Sequence, residues 1–184
     1  MTFALGGTEQ LAYPWKSSAA HTQITPTYGN LYIRDPYNNK LIPDLATHWE
    51  ISKDLTKGTF HLRKGVKFHD GSSFNAEVAA FGINWSYNPK NAYVVLTQLP
   101  PAPYKYRAEA VDEYTLRVQT GFPDPIYPAR AFAVGIPSMV QIKERLDTYE
   151  SEPIGTGAYR FVEWNRGSSY TLETNPDWWG IGDK

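Results

Sequence analysis

The chain has 184 residues, 41% of them hydrophobic and 20% charged, with a net charge of −1. That composition is ordinary for a globular protein and long enough for one domain or two small lobes. It offers no basic stripe to a nucleic acid and, having no cysteine, excludes a disulfide framework, a thiolate metal site and a thiol nucleophile.

No apolar run approaches the roughly 18 residues of a membrane span. Residues 1–5 have neither the charged nor the long apolar region of a secretory leader. Aromatic residues make up 15% of the chain, with 13 Tyr and 6 Trp. Such an excess either lines a ligand cleft or belongs to a β-rich domain whose strands favour these side chains.

In chain order, residues 2–5 read as a short strand stopped by Gly6-Gly7. Ile24, Tyr28, Leu31 and Tyr32 have helical spacing, which predicts a helix from about Thr25 to just before Asp35-Pro36. Leu41-Ile42-Pro43-Asp44-Leu45-Ala46 is a compact segment set by its proline. Residues 48–52 and 59–63 predict a hairpin, with Phe60 and Leu62 alternating against His61 and Arg63. His69-Asp70-Gly71 is a turn whose glycine suits positive φ. Asn75 is a good N-cap for a helix with Ala76, Ala80, Ile83 and Tyr87 on one face, ended by Asn88-Pro89.

A second hairpin is expected from residues 105–111 and 114–120, with Tyr114, Leu116 and Val118 on one face. Pro123, Pro125 and Pro128 surround a short helix reaching Phe132. Met139, Ile142, Arg145 and Leu146 predict another helical turn or two. Residues 158–164 and 169–174 form a last hairpin across Asn165-Arg166-Gly167. Short hairpins with a few helices indicate a mixed α/β (α+β) fold.

Two blocks carry a family resemblance. One is LIPDLATHWEISKDLTKGTFHLRKGVKFHDGSSFNAEVAAF, Leu41 to Phe81. The other runs from Pro153-Ile154-Gly155-Thr156-Gly157-Ala158-Tyr159 through Trp164 to Asn175-Pro176-Asp177-Trp178-Trp179-Gly180. In this order they resemble the family 5 extracellular solute-binding proteins of peptide- and nickel-type ABC importers. The residues between 90 and 149 match weakly. The chain also departs from the family pattern at Leu11-Ala12-Tyr13-Pro14, at Tyr28-Gly29 and at Val78.

The resemblance implies a class II periplasmic-binding-protein-like lobe with a hairpin-rich inserted subdomain. Residues 1–40 and 153–184 would then build the main sheet of lobe I, and residues 41–152 the inserted subdomain. The second lobe and the C-terminal return would be absent, since members of the family are well over twice this length. Met1 would be a start codon ahead of a mature chain whose signal had been removed. The intact parent would be periplasmic or extracellular, with a lipid anchor conceivable. It would capture an oligopeptide or similar small polar solute and deliver it to an ABC permease in the membrane. An oligosaccharide ligand is the alternative that the Trp and Tyr excess supports, and a ligand-free interaction domain is a third. No cofactor and no nucleic acid partner are expected. The missing lobe would leave a bare apolar face, through which a dimer could form.

By alignment with the family, Tyr13, Trp15 and Tyr93 are aromatic candidates for ligand contact. Gly6, Gly7 and Thr8 are candidates for backbone pairing with a peptide. The plainer reading of each is packing beneath loops. Leu45, Trp49, Phe60, Leu62, Val66 and Phe68 read as core. His69-Asp70 suggests a catalytic dyad, but neighbours in a turn rarely point the same way, and an Asp that accepts backbone N–H groups is the stronger expectation. His21, His48, His61 and His69 lack the paired spacing of a zinc helix, so no metal site is predicted. Gly155-Thr156-Gly157 lacks the third glycine and the helix of a phosphate cradle; the family resemblance implies a position near the cleft or hinge. Ser17-Ser18, Ser72-Ser73 and Ser168-Ser169 have no esterase elbow around them. The sequence argues against an enzyme.

Overall fold

A computed structural model describes residues 26–35, 37–38, 40–88, 90–91, 106–124, 135–149 and 151–180, together with the backbone of residues 2–4. Its elements are β1 (Thr2–Ala4), β2 (Tyr32–Arg34), β3 (Leu41–Pro43), β4 (Ala46–Ile51), β5 (Lys57–Leu62), α1 (Ala76–Ser86), β6 (Arg107–Asp112), β7 (Thr115–Gln119), α2 (Met139–Glu144), a 3₁₀ turn (Leu146–Thr148), β8 (Tyr159–Asn165) and β9 (Ser169–Thr174). The proline-rich helix expected to reach Phe132 falls outside the described residues. No helix among those described is long and apolar enough to cross a membrane.

All the strand pairing among the described residues is antiparallel. The central sheet has the order β4-β5-β7-β6. One face of it is apolar because Phe60, Leu62, Leu116 and Val118 alternate inward and are buried. Against that face lies α1. The Asn75 side chain accepts a hydrogen bond from the Val78 N–H at 3.0 Å and so starts the helix. The face predicted from Ala76, Ala80 and Ile83 is the buried one. Asn84 clips α1 to β6, donating to the Ala108 carbonyl at 2.8 Å and accepting from the Ala108 N–H at 2.9 Å.

A second sheet, β1-β9-β8, joins the two ends of the chain, with Phe3 opposite Tyr170. It has its own small cluster of Tyr28, Tyr170 and Leu172, flanked by Tyr159, Phe161 and Trp164. The glycines of two turns take the expected positive φ, Gly71 at 82° and Gly167 at 74°.

Within the described residues 26–35, the helix expected from about Thr25 is absent. Residues 26–31 run as an irregular strap, and Tyr32–Arg34 pair with Leu41–Pro43 as a ribbon. The helical spacing of Tyr28, Leu31 and Tyr32 is real, and all three are buried. The backbone beneath them bonds elsewhere, however. The Asn30 and Leu31 carbonyls accept from the N–H groups of Leu45 and Ala46, both at 2.9 Å. Tertiary partners outbid a local helix.

Candidate functional site

Several stretches of chain meet where residues 26–30 cross residues 153–158. The Gly157 N–H donates to the Thr27 carbonyl at 2.9 Å, and the Tyr159 N–H to the Pro26 carbonyl at 3.1 Å. From another side, the Ile136 N–H donates to the Gly29 carbonyl at 3.0 Å. A Cβ on Gly155 or Gly157 would run into the carbonyl oxygens of Thr27 and Pro26. The Gly155-Thr156-Gly157 run therefore exists so that two backbones can touch.

His69 and Asp70 brace this crossing through separate partners. The His69 N–H donates to the Gly155 carbonyl at 2.9 Å. Its ring accepts at Nδ1 from the Gly155 N–H at 3.4 Å and reaches the Gly157 carbonyl from Nε2 at 3.0 Å. A carbonyl can only accept, so the proton sits on Nε2. Burial pulls the pKa of this imidazole below its usual value. Asp70 faces the other way, accepting from the Ser72 N–H at 2.9 Å and the Ser138 hydroxyl at 2.7 Å. Burial opposes its charge, but these donors and the Ser72 hydroxyl outweigh it and hold the carboxyl below its usual range. The two residues form no dyad.

A groove of about 200 Å³ opens at the crossing, lined by residues that include Tyr28, Asn30, Ile33, Asp44, Thr156 and Trp178. Among the described residues of this wall, Asp44 supplies the one carboxylate. It accepts from the Asn30 N–H at 2.7 Å, while Arg63 Nε donates to the Asp44 backbone carbonyl at 3.3 Å. Burial pushes its pKa up to about 6, against the pull of Asn30 and Arg63. Thr156 is fully buried. Its hydroxyl and the Asn30 side-chain oxygen have no hydrogen-bond partner among the described residues. Next to Trp178, whose ring centre lies 5.4 Å away, Trp179 carries the Arg63 guanidinium 4.1 Å from its own ring centre. Among the described residues, no three His, Asp or Glu side chains gather to hold a metal ion.

The candidates Gly6, Gly7, Thr8, Tyr13, Trp15 and Tyr93 lie outside the described residues. Of the Gly155-Thr156-Gly157 run, expected from the sequence near a cleft or hinge, Thr156 and Gly157 line the groove. Sequence reasoning did not single out Asn30, Asp44 or Trp178. For Asp44 a signal existed: it is the lone acid within the apolar run Leu41 to Ala46.

Hairpins on a small mixed sheet, a helix on one face and a groove where chain segments cross define a mixed α/β fold of the class II periplasmic binding protein type. The model of the family described as bacterial extracellular solute-binding proteins, family 5 Middle, matches residues 40–184, and the chain belongs to that family. A glutathione-binding protein of Pectobacterium atrosepticum is 32% identical over 92% of this chain and 33% of its own length. The dipeptide-binding protein of Escherichia coli is 27% identical over 84% of this chain and 33% of its own length. The chain thus spans about a third of the length of the curated relatives it matches. Among solved structures, the Pseudoalteromonas dipeptide-binding protein in complex with Met-Leu superposes with a TM-score of 0.84 at 24% identity, covering 94% of this chain and 39% of that one. NikZ from Campylobacter jejuni in complex with Ni(L-His) superposes at 0.82 with 27% identity, covering 95% and 35%.

Proposed function

We propose that this chain is part of the first lobe of an ABC-importer solute-binding protein that captures oligopeptides or similar small polar solutes. The observation that carries this reading is the groove: a concave wall with aromatic and apolar sides and one carboxylate half withdrawn from water. Such a site binds without bond-making. The cationic end of a peptide beside Asp44 would offset the cost of burying its charge. Membership of a solute-binding family and relatives named for glutathione and dipeptides support the same ligand class.

In this reading, residues 1–40 and 153–184 belong to the main lobe and residues 41–152 to an inserted subdomain. The pairing of β1 with β9 supports the first grouping, and the four-stranded sheet the second. The β2–β3 ribbon crosses the boundary between them. A second lobe would close on the ligand, and Gly6, Gly7, Thr8, Tyr13, Trp15 and Tyr93 remain candidates for its contacts. The intact protein would work outside the cytoplasmic membrane, free or lipid-anchored, and dock on a permease. We assign it no catalytic step, because His69, Asp70, Ser72 and Ser138 are spent on bracing the crossing.

Calorimetric titration tests this. The 184-residue chain alone should show no micromolar binding of a mixed dipeptide and tripeptide pool, because half the cleft is missing. The same chain continued through the proposed second lobe should bind the pool, and Asp44→Asn should weaken that binding about tenfold, roughly one lost charge-assisted contact. Micromolar binding by the short chain would overturn the two-lobe reading. Undiminished binding by the Asp44 variant would remove Asp44 from the site.

A further inference from the structure

The fold brings together two histidines that the sequence keeps apart. His48 on β4 and His61 on β5 are directly opposed in register. Their rings stack 4.1 Å apart at an interplanar angle of 11°. They stand on the face of the central sheet opposite to Phe60 and Leu62, so the pair is open to water. Antiparallel pairing brings His48 and His61 together, which spacing along one element does not. A single bonded row continues across the sheet, from His61 to Thr115 and from Thr115 to Asp112.

The proton inventory prepares one ring for a ligand. The Thr47 hydroxyl donates to the His61 carbonyl at 3.1 Å, which uses its only proton. Thr47 Oγ1 also lies 3.1 Å from His48 Nδ1, so Nδ1 must be the donor of that bond. The lone pair of a neutral His48 is then on Nε2, with the hydroxyl fixing the tautomer as outer-shell partners do at metal sites. Zinc–imidazole bonds of about 2.0–2.1 Å place two tetrahedral nitrogens about 3.3 Å apart. The ring centres are 4.1 Å apart, and turning the two rings out of their 11° stack, so that their in-plane lone pairs converge, would let one cation join them. Asp112 stands in the same row, paired with Thr115, which in turn pairs with His61.

We propose that His48 and His61 form a two-imidazole site for a borderline divalent cation such as Zn²⁺ or Cu²⁺. The site shares no residue with the groove and does not depend on the solute-binding reading. Cu²⁺ is the most sensitive probe, since imidazole sites bind it most tightly among the first-row divalent ions. Titrated with Cu²⁺ alone, the chain should take up one equivalent, with a paramagnetic resonance spectrum showing two coordinated nitrogens. Zn²⁺ should compete with it only in large excess. Losing even an outer-shell partner costs a metal site roughly 10–100-fold, so His48→Ala and His61→Gln should each weaken uptake by at least about tenfold. Circular dichroism of the metal-free variants should match the parent, since neither side chain belongs to the core. His21→Gln should leave uptake unchanged. Undiminished affinity in either sheet variant, loss of uptake in the His21 variant, or a one-nitrogen spectrum would overturn the proposal.

Discussion

Asp44 shows how one buried carboxylate gives the molecule a pH dependence. Its pKa is raised from 3.8 to about 6 because burial outweighs the Asn30 N–H and Arg63. The folded state therefore holds this proton more tightly than the unfolded chain. Its stabilising contribution is complete below about pH 4 and is lost as pH rises through about 6. Asp44→Asn removes the titration and keeps an acceptor for the Asn30 N–H. Urea unfolding at pH 4.5 and pH 7.5 should show the parent losing stability relative to this variant, by on the order of 2 kcal/mol. An unchanged difference between the two pH values would mean that Asp44 is better solvated than the groove geometry implies. His69 is the contrasting residue: burial also shifts it, but both ring nitrogens are already committed to the chain they hold.

At the scale of elements, α1 is the piece most fully specified by local signals, and Asn75 is the strongest of them. Asn75→Ala should cost about 1 kcal/mol in a chemical denaturation experiment, the usual worth of a helix N-cap. A cost near zero would show that packing against β6 and β7, with the Asn84 clip to Ala108, holds the first turn without its cap. The hairpins β4–β5, β6–β7 and β8–β9 were legible for a similar reason. Alternation such as Phe60-His61-Leu62 and turn residues such as Asn165-Arg166-Gly167 act within a few residues of each other. The strap of residues 26–31 was misread because its apolar spacing is helical while its hydrogen-bond partners lie on residues 44–46, 136, 157 and 159. Periodicity reports which side chains are buried and does not report what the backbone pairs with.

At the scale of the whole molecule, stability should be graded. The largest apolar cluster lies between the central sheet and α1, and the β8–β9 sheet rests on a separate, smaller one. Strands β5 and β7 are paired on both edges, whereas the β2–β3 ribbon is paired on one edge per strand. In native-state hydrogen exchange, the amides of Phe60 and Leu116 should exchange slowest, and those bonded within the ribbon faster by roughly a hundredfold or more. Uniform protection across all three sheets would instead mean a single cooperative unit.

By itself the sequence determined the mixed α/β class, the family, the core positions and most hairpins, since propensity, alternation and capping are local and survive in a linear reading. Tertiary structure alone decided the groove and the histidine pair. Asn30, Asp44, Thr156 and Trp178 come from four separate segments, and His48 meets His61 only once β4 pairs with β5 in one particular register. A site assembled from distant segments depends on which strands pair and where chains cross, and those choices are made by the packing of the entire core.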